Sequence, residues 1–215
     1  MSATGRKKHN TKGTKEQRDP FDYYPTPDWC VQRFLEKAAN RLPVGDWIEP
    51  TAGDGAIVRS ITKFGNGLEK NRWTAVDVQE RFKEPLEKLG ANVWIGSYIK
   101  YTHPQPKAKV CITNPPYKLA ESIIKHAQTQ SECVVMLLRI NFLASEARRD
   151  WMAKDTPDIY VIPNRPSFRG KGSDATEYAW FVWDDKSCGK ITILDSTPRG
   201  VRQAEKRALL QKLST

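Results

Sequence analysis

The sequence predicts an α/β fold with a mostly parallel sheet of seven to eight strands, an antiparallel edge and helices on both faces. Strand-like and helix-like patterns alternate between residues 46 and 154, as they do in βαβ units. A near-continuous apolar run at 133–138 is typical of a strand buried on both faces. The chain of 215 residues is long enough for one such domain to bury a substantial core.

Each element has a local signal. In residues 28–41, Val31, Phe34, Leu35 and Ala38 fall on one face, which is helical spacing. Further helices are predicted over 56–64, 80–90, 118–128, 145–154 and 201–213, and strands over 46–50, 72–78, 92–95, 109–113, 132–138, 158–162, 177–183 and 190–194.

The end of the chain has two features of its own. The turn-like residues 184–189 join the last two predicted strands, so we expect the late strands to form the antiparallel edge. The final helix, 201–213, is basic and is interpreted as a solvated cover on the sheet.

Charge separates the chain into two parts. Lys and Arg total 35 against 25 Asp and Glu, which gives a net charge of +10 and a pI near 9.5. Six Lys or Arg stand against two acids in the first nineteen residues, so we predict a disordered basic arm over 1–20 and a single domain over 21–215. Such an excess of positive charge predicts a polyanionic partner, with nucleic acid the default; charge in disordered tails that only aids solubility is the alternative.

Composition also argues against other classes of protein. No apolar run approaches the length of a membrane span, and the N-terminal residues lack the apolar core of a secretory signal. The four cysteines and three histidines are scattered without metal-ligand spacing, so we predict no metal site. We expect a cytoplasmic protein that is a monomer or a weak dimer.

An unusual turn follows the predicted strand 109–113. Residues 114–117 read Asn-Pro-Pro-Tyr, here named the acceptor turn. Proline has no N–H and a fixed φ, so Pro115 and Pro116 end the strand and leave nearby carbonyls free to accept hydrogen bonds. The alternative is a plain strand-ending loop.

A second motif lies at the first strand–helix junction. Residues 49–55, here named the glycine loop, contain Gly53 and Gly55, which permit close approach of backbone to a ligand. Asp77 ends the next strand, where a carboxylate can accept hydrogen bonds from ribose hydroxyls. The G-K-[ST] of a phosphate-binding P-loop is missing, and the glycine spacing falls short of the dinucleotide pattern. A nucleoside-like cofactor without a pyrophosphate is therefore expected.

Together these motifs resemble the class I S-adenosylmethionine-dependent amino-methyltransferases, the family of DNA adenine-N6 and cytosine-N4 enzymes, over about residues 22–139. Residues 23–27, the glycine loop, Asp77 and the acceptor turn occur in the family's order, which is similar to its γ-type arrangement and places any recognition element after residue 139. The resemblance implies a Rossmann-like methyltransferase fold and S-adenosylmethionine as cofactor, with S-adenosylhomocysteine as product. Ser97 stands where many relatives have an aspartate, and an ordinary loop serine is the alternative. The implied cofactor-binding residues are Tyr24, Thr26, Pro27, Glu49, Pro50, Ala52, Gly53, Asp54, Gly55, Asp77, Val78 and Ser97.

The resemblance also implies the chemistry of the acceptor turn. The Asn114 side-chain oxygen and the Pro115 carbonyl would accept the two amine hydrogens of the target, and Pro116 would keep the turn rigid. Tyr117 would stack on a base extruded from the helix; core packing is the alternative. Cytosine-C5 chemistry needs a cysteine nucleophile beside a proline, and no Pro-Cys pair occurs in the chain.

A Pro- and Gly-rich segment, 161–183, interleaves cations with an aromatic ring. Arg165, Arg169 and Lys171 surround Phe168, which we expect to hold the extruded base from the other side; a solvated loop with Phe168 in the core is the alternative. The leading hypothesis that the resemblance implies is a compact, phage-like DNA adenine-N6 methyltransferase that acts on double-stranded DNA in the cytoplasm of a bacterium or a phage-infected cell. RNA adenine-N6, DNA cytosine-N4 and protein glutamine methylation remain open, as does a non-catalytic nucleic-acid-binding subunit.

Overall fold

The structure, a computed structural model, describes residues 23–168 and 175–213. Eight strands form one sheet, and six α-helices accompany it. The helices are α1 Asp28–Ala38, α2 Ala56–Phe64, α3 Lys83–Glu87, α4 Ala120–Gln130, α5 Arg149–Lys154 and α6 Arg199–Leu213. The strands are β1 Asp46–Glu49, β2 Arg72–Asp77, β3 Asn92–Ile95, β4 Ala108–Thr113, β5 Ser131–Arg139, β6 Asp158–Ile162, β7 Tyr178–Trp183 and β8 Ile191–Ile193.

The strand order is β3-β2-β1-β4-β5-β7-β6-β8. Seven strands run parallel to one another, and β7 lies antiparallel between β5 and β6. The predicted mostly parallel sheet of seven to eight strands is confirmed, with eight strands among the described residues.

The expected antiparallel pairing involves β7, which lies antiparallel to β5 and β6. β8 lies parallel to β6, and the side chain of Asp158 contacts the segment that leads into β8. Its Oδ1 accepts hydrogen bonds from the N–H groups of Cys188 (3.0 Å) and Lys190 (2.8 Å), which holds the segment before β8 against β6 rather than folding it back on β7.

Two apolar cores lie on opposite faces of the sheet, as predicted. One contains Phe34 of α1, Ile57 of α2 and Trp180 of β7; the other contains Ile124 of α4 and Phe181 of β7. β7 is buried along its whole length because its alternate side chains enter the two cores.

Two helices differ from their predicted form. The segment 80–90 is a 3₁₀ turn, Glu80–Phe82, followed by α3, because Pro85 lacks an N–H and fits only in the first turn of an α-helix. No residue of α6 between 199 and 211 is buried. This helix lies beside α1, where the Trp29 N–H donates to the Glu205 carboxylate (3.4 Å), and its interpretation as a cover on the sheet is wrong.

None of the helices in the described part of the chain is both long and apolar enough to cross a membrane.

Candidate active site

A cavity of about 410 Å³, here named the strand-edge cavity, opens where β1, β2, β3 and β4 end. The strand order reverses between β1 and β4, and ligands of open α/β sheets bind at such a point. Segments that are distant in sequence therefore meet there: 23–26 before α1, the glycine loop, 77–79, 96–99 and the acceptor turn.

Two glycines allow the first loop to fold tightly. Gly53 has φ +51°, and a side chain there would lie 2.6 Å from the ring of Tyr23. Gly55 has φ +77°, and a side chain there would lie 2.5 Å from a methyl group of Leu89. Both positions therefore require glycine, for backbone conformation and for space.

Asp77 connects the first two junctions. One carboxylate oxygen accepts a hydrogen bond from the Gly53 N–H (2.8 Å), and the other accepts one from the Gln79 N–H (2.9 Å). Burial raises the pKa of Asp77, although these two N–H groups oppose the rise. The carboxylate thus holds the glycine loop in place at the wall of the cavity.

Glu49, the last residue of β1, is a buried carboxyl on the cavity wall. It is 2% exposed, and its Oε2 has no hydrogen-bond partner among the described residues. Burial first, then the carboxyls of Asp54 and Asp77, raise its pKa well above the ordinary glutamate value, and Arg59 opposes them only in part. A buried acceptor without a partner is suited to a cationic ligand group.

A pair of threonines joins the glycine loop to the acceptor turn. The hydroxyls of Thr51 and Thr113 lie 2.7 Å apart, and the Thr51 hydroxyl also lies 3.5 Å from the Asn114 carbonyl. Sequence reasoning missed both threonines. Their signal was a hydroxyl residue near the end of each of two strands, β1 and β4, that proved to be neighbours. Thr51 lies inside the glycine loop, and Thr113 directly precedes the acceptor turn.

The acceptor turn keeps two acceptors available. Within the described residues, the Asn114 side chain makes no hydrogen bond and the Pro115 carbonyl accepts none, whereas the Pro116 carbonyl accepts from the Leu119 N–H (2.9 Å) as α4 begins. All three residues line the strand-edge cavity. Two acceptor groups therefore lie together at its wall.

Tyr117 is held by side chains from β5 and β7. The Arg139 guanidinium lies 4.4 Å from the centre of the Tyr117 ring, and the Tyr117 hydroxyl donates to that of Tyr178 (3.0 Å). Arg139 Nε also donates to the Tyr178 hydroxyl (3.2 Å). Arg139 and Tyr178 are partners across the β5–β7 ladder. Sequence reasoning missed both, since only the pairing of these strands brings them to the turn.

Most of the residues implied for cofactor binding line the strand-edge cavity. The two exceptions are Gly55 and Pro27. Gly55 faces Leu86 and Leu89, and Pro27 is the N-cap of α1 and lines a neighbouring groove. The implied residues on the cavity wall are Tyr24, Thr26, Glu49, Pro50, Ala52, Gly53, Asp54, Asp77, Val78 and Ser97.

The residues expected to contact nucleic acid are more dispersed. Phe168 is 6% exposed and packs edge-on against Tyr178, with ring centres 5.1 Å apart. This placement favours core packing of Phe168 over the base contact expected of it. Arg165 forms a surface ion pair with Glu177. Arg169, Lys171 and the arm over 1–20 lie outside the described residues.

Within residues 23–168 and 175–213, no three His, Cys, Asp or Glu side chains are grouped as metal ligands would be.

This chain resembles known proteins in its fold rather than in its sequence. No protein-family model matches the chain, and no curated protein matches it by sequence.

Several solved structures share the fold at low identity. A proposed RNA methyltransferase from Pyrococcus horikoshii is 15% identical, with a TM-score of 0.56 over 76% of this chain and 85% of that chain. A proposed class I S-adenosylmethionine-dependent methyltransferase from Listeria monocytogenes is 10% identical, with a TM-score of 0.53 over 86% and 67%. The methyltransferase subunit of a type I restriction-modification system from Streptococcus thermophilus is 9% identical, with a TM-score of 0.61 over 90% of this chain and 52% of that one. The fold of this chain is therefore the Rossmann-like fold found in methyltransferases.

Proposed function

We propose that this protein transfers a methyl group from S-adenosylmethionine to the exocyclic N6 amine of adenine in DNA. The observation that carries the proposal is that the acceptor turn, the glycine loop and Asp77 line one cavity. A turn rich in acceptors beside a nucleoside-like site is the arrangement that amine methylation needs. The fold shared with methyltransferases supports the same reading.

The cavity suits this cofactor on physical grounds. A volume of about 410 Å³ lies within the range of small-molecule sites. Asp77 is placed to accept from ribose hydroxyls, and the unpartnered Glu49 oxygen is suited to a cationic group. When bound, S-adenosylmethionine supplies an electrophilic methyl group on a positively charged sulfur. Its product, S-adenosylhomocysteine, lacks that charge.

The chain itself positions the target amine. In this proposal the Asn114 side-chain oxygen and the Pro115 carbonyl accept hydrogen bonds from the two amine N–H groups, which frees the nitrogen lone pair from conjugation with the ring. The proton that the methylated nitrogen loses would pass to water. The two prolines fix the backbone at the Pro115 carbonyl before the substrate arrives, so this acceptor needs little reorganisation as charge develops. Tyr117, fixed by Arg139 and Tyr178, offers a ring on which the extruded base stacks.

Nucleic acid is the favoured substrate class because the chain has a net charge of +10. RNA adenine is the second candidate, since one structure of similar fold is described as an RNA methyltransferase. Cytosine-N4 and glutamine amides present the same NH₂ on an sp² carbon, and the acceptor turn does not distinguish them from adenine. A non-catalytic nucleic-acid-binding subunit is the alternative of another class.

The test is incubation with labelled S-adenosylmethionine and a panel of duplex DNA, RNA and a glutamine-containing protein, followed by mass analysis of digested nucleosides and residues. We expect N6-methyladenine in DNA, and none with Asn114→Ala. Label found in another nucleoside or in protein would show that the proposed substrate is wrong and would identify the substrate that is methylated. Calorimetry with S-adenosylmethionine separates the non-catalytic alternative, for which no binding is expected.

A further inference from the structure

A second cavity of about 940 Å³, here named the α6 groove, lies beside the strand-edge cavity. It is bounded by α6, by α2, by the start of α1 and by Pro85 and residues 165–167. The two cavities share the wall formed by Tyr23, Pro25, Thr26, Asp54 and Ala56. A polymer lying in the groove would therefore pass directly beside the site proposed for methyl transfer.

Positive side chains on the groove outnumber negative ones. The acids are Asp28, Asp54 and Glu205, and the cations, from three parts of the chain, are Arg59, Lys63, Arg165, Arg199, Arg202 and Lys206.

The acids are already engaged. Asp28 pairs with Lys63 (2.8 Å), and Asp54 pairs with Arg59 (2.7 Å). The Glu205 carboxylate accepts a hydrogen bond from the Trp29 N–H (3.4 Å). Two of the three acids on the groove are therefore neutralised by ion pairs, and the lining keeps an excess of positive charge.

Three cations on α6 form no ion pair within the described part of the chain, although Arg202 Nε donates to the Thr197 carbonyl (3.0 Å). Among the described residues, no carboxylate lies within ion-pair distance of Arg199, Arg202 or Lys206. They are spaced along one helix of fifteen residues, Arg199–Leu213. Guanidinium and ammonium groups repeated along a groove match the repeated phosphates of a nucleic-acid backbone.

The position of α6 supports the same reading. No residue between 199 and 211 is buried, so the helix does not contribute a core face to the fold. Pro25, Pro27 and Leu209 give the groove an apolar surface beside its cations. Such a surface is suited to the sugar rings of a ligand as well as to its phosphates.

We propose that the α6 groove holds the sugar–phosphate backbone of the nucleic acid whose base is methylated, an inference that rests on the function proposed above. Arg199, Arg202 and Lys206 contact phosphates, while the base to be methylated enters the strand-edge cavity across the shared wall.

The test compares two double variants with the same change in net charge. Arg199→Glu with Lys206→Glu reverses two groove cations, and Lys107→Glu with Lys154→Glu reverses two exposed cations outside the groove and its lining. Binding of a short fluorescein-labelled duplex is measured over a range of salt concentrations. We expect the groove variant to bind the duplex at least about tenfold more weakly. The slope of its log affinity against log salt concentration should fall by the equivalent of about two phosphate contacts. The control variant should lose much less.

Methylation kinetics give a second readout. The groove variant should raise KM for DNA while kcat at saturating DNA and the affinity for S-adenosylmethionine stay near the parent values. The neutral pair Arg199→Gln with Lys206→Gln, which removes charge without reversing it, should give a smaller effect in the same direction.

Equal losses in the groove and control variants, or none in either, would overturn the groove assignment and leave the proposed function intact if the parent still methylates DNA. A parent protein that binds S-adenosylmethionine but methylates no nucleic acid would overturn both proposals. Thermal melting of each variant shows that a loss of binding does not come from unfolding.

Discussion

The side chain of Asn114 carries the most specific prediction at the scale of a single residue. If its oxygen accepts a hydrogen bond from the target amine in the transition state, Asn114→Ala removes that acceptor and leaves the cofactor pocket intact. Loss of one preorganised polar contact costs about 10²–10³ in kcat. We expect at least this loss, measured as the rate of methyl transfer at saturating substrate, with affinity for S-adenosylmethionine within a few-fold of the parent.

Asn114→Asp provides the matched control, because it keeps an oxygen acceptor of the same shape. We expect it to retain activity that the alanine variant lacks. Near-parental turnover in Asn114→Ala on every accepted substrate would mean that residues 114–117 only end β4.

The raised pKa of Glu49 predicts that cofactor binding releases a proton. In the cofactor-free protein its pKa is raised, first by burial and then by Asp54 and Asp77, with Arg59 opposing. A cation bound nearby favours the ionised carboxylate and so lowers this pKa. At a pH between the two values, cofactor binding should release up to one proton. The measurement is calorimetry in two buffers of different ionisation enthalpy.

The variant Glu49→Gln has no proton to release at this position, so its binding heat should no longer depend on the buffer. Because the pKa of Asp77 is also raised by burial, Asp77→Asn serves as the comparison. Identical heats for the parent protein in the two buffers would contradict the prediction.

At the scale of elements, the β5–β7 ladder supports the acceptor turn. The Tyr178 hydroxyl accepts from Tyr117 and from Arg139, so Tyr178→Phe breaks both hydrogen bonds and keeps the ring. Such a loss costs about 0.5–1.5 kcal/mol, or roughly a two- to tenfold fall in kcat/KM for nucleic acid. Affinity for S-adenosylmethionine should not change. Tyr160→Phe, on β6, is the control for loss of a strand tyrosine hydroxyl, and an equal fall there would argue against a positioning role.

The elements that could be predicted from the sequence are those whose signal is local. β3 and α2 occupy the predicted residues 92–95 and 56–64, since apolar spacing and flanking glycines define them. The pairing of β8 with β6 depends on the Asp158 side chain, which has no local signal. Likewise, motifs placed Asp77 and Asn114 near the cavity, whereas Arg139 and Tyr178 reach it only through antiparallel pairing of distant segments.

At the scale of the whole molecule, Arg41 joins the α1 side of the fold to the far end of the sheet. Its guanidinium donates to Asp184 (2.5 and 2.7 Å) and to Asp158 (2.6 Å), and it also reaches the Ser187 hydroxyl (2.9 Å). The three charged side chains are 14%, 7% and 6% exposed. Removing the cation would leave two buried carboxylates without their common partner.

Arg41→Met keeps an unbranched apolar stem and removes the charged guanidinium, so we expect the free energy of unfolding at neutral pH to fall by on the order of 3 kcal/mol. Burial raises the pKa values of Asp158 and Asp184, but hydrogen bonds, including those from Arg41, outweigh it, so both pKa values lie below the ordinary aspartate value. The stabilisation is therefore present above about pH 4 and is lost as the pH falls through the lowered values. Urea unfolding should show a difference in the free energy of unfolding between parent and variant that is largest near neutral pH and becomes smaller in acid.

The control is Arg72→Met, which breaks an exposed ion pair with Asp46 and should leave the free energy of unfolding unchanged at neutral and at acidic pH. A gap for Arg41→Met that does not depend on pH would show that the methionine variant is weakened by packing rather than by the loss of a shared cation.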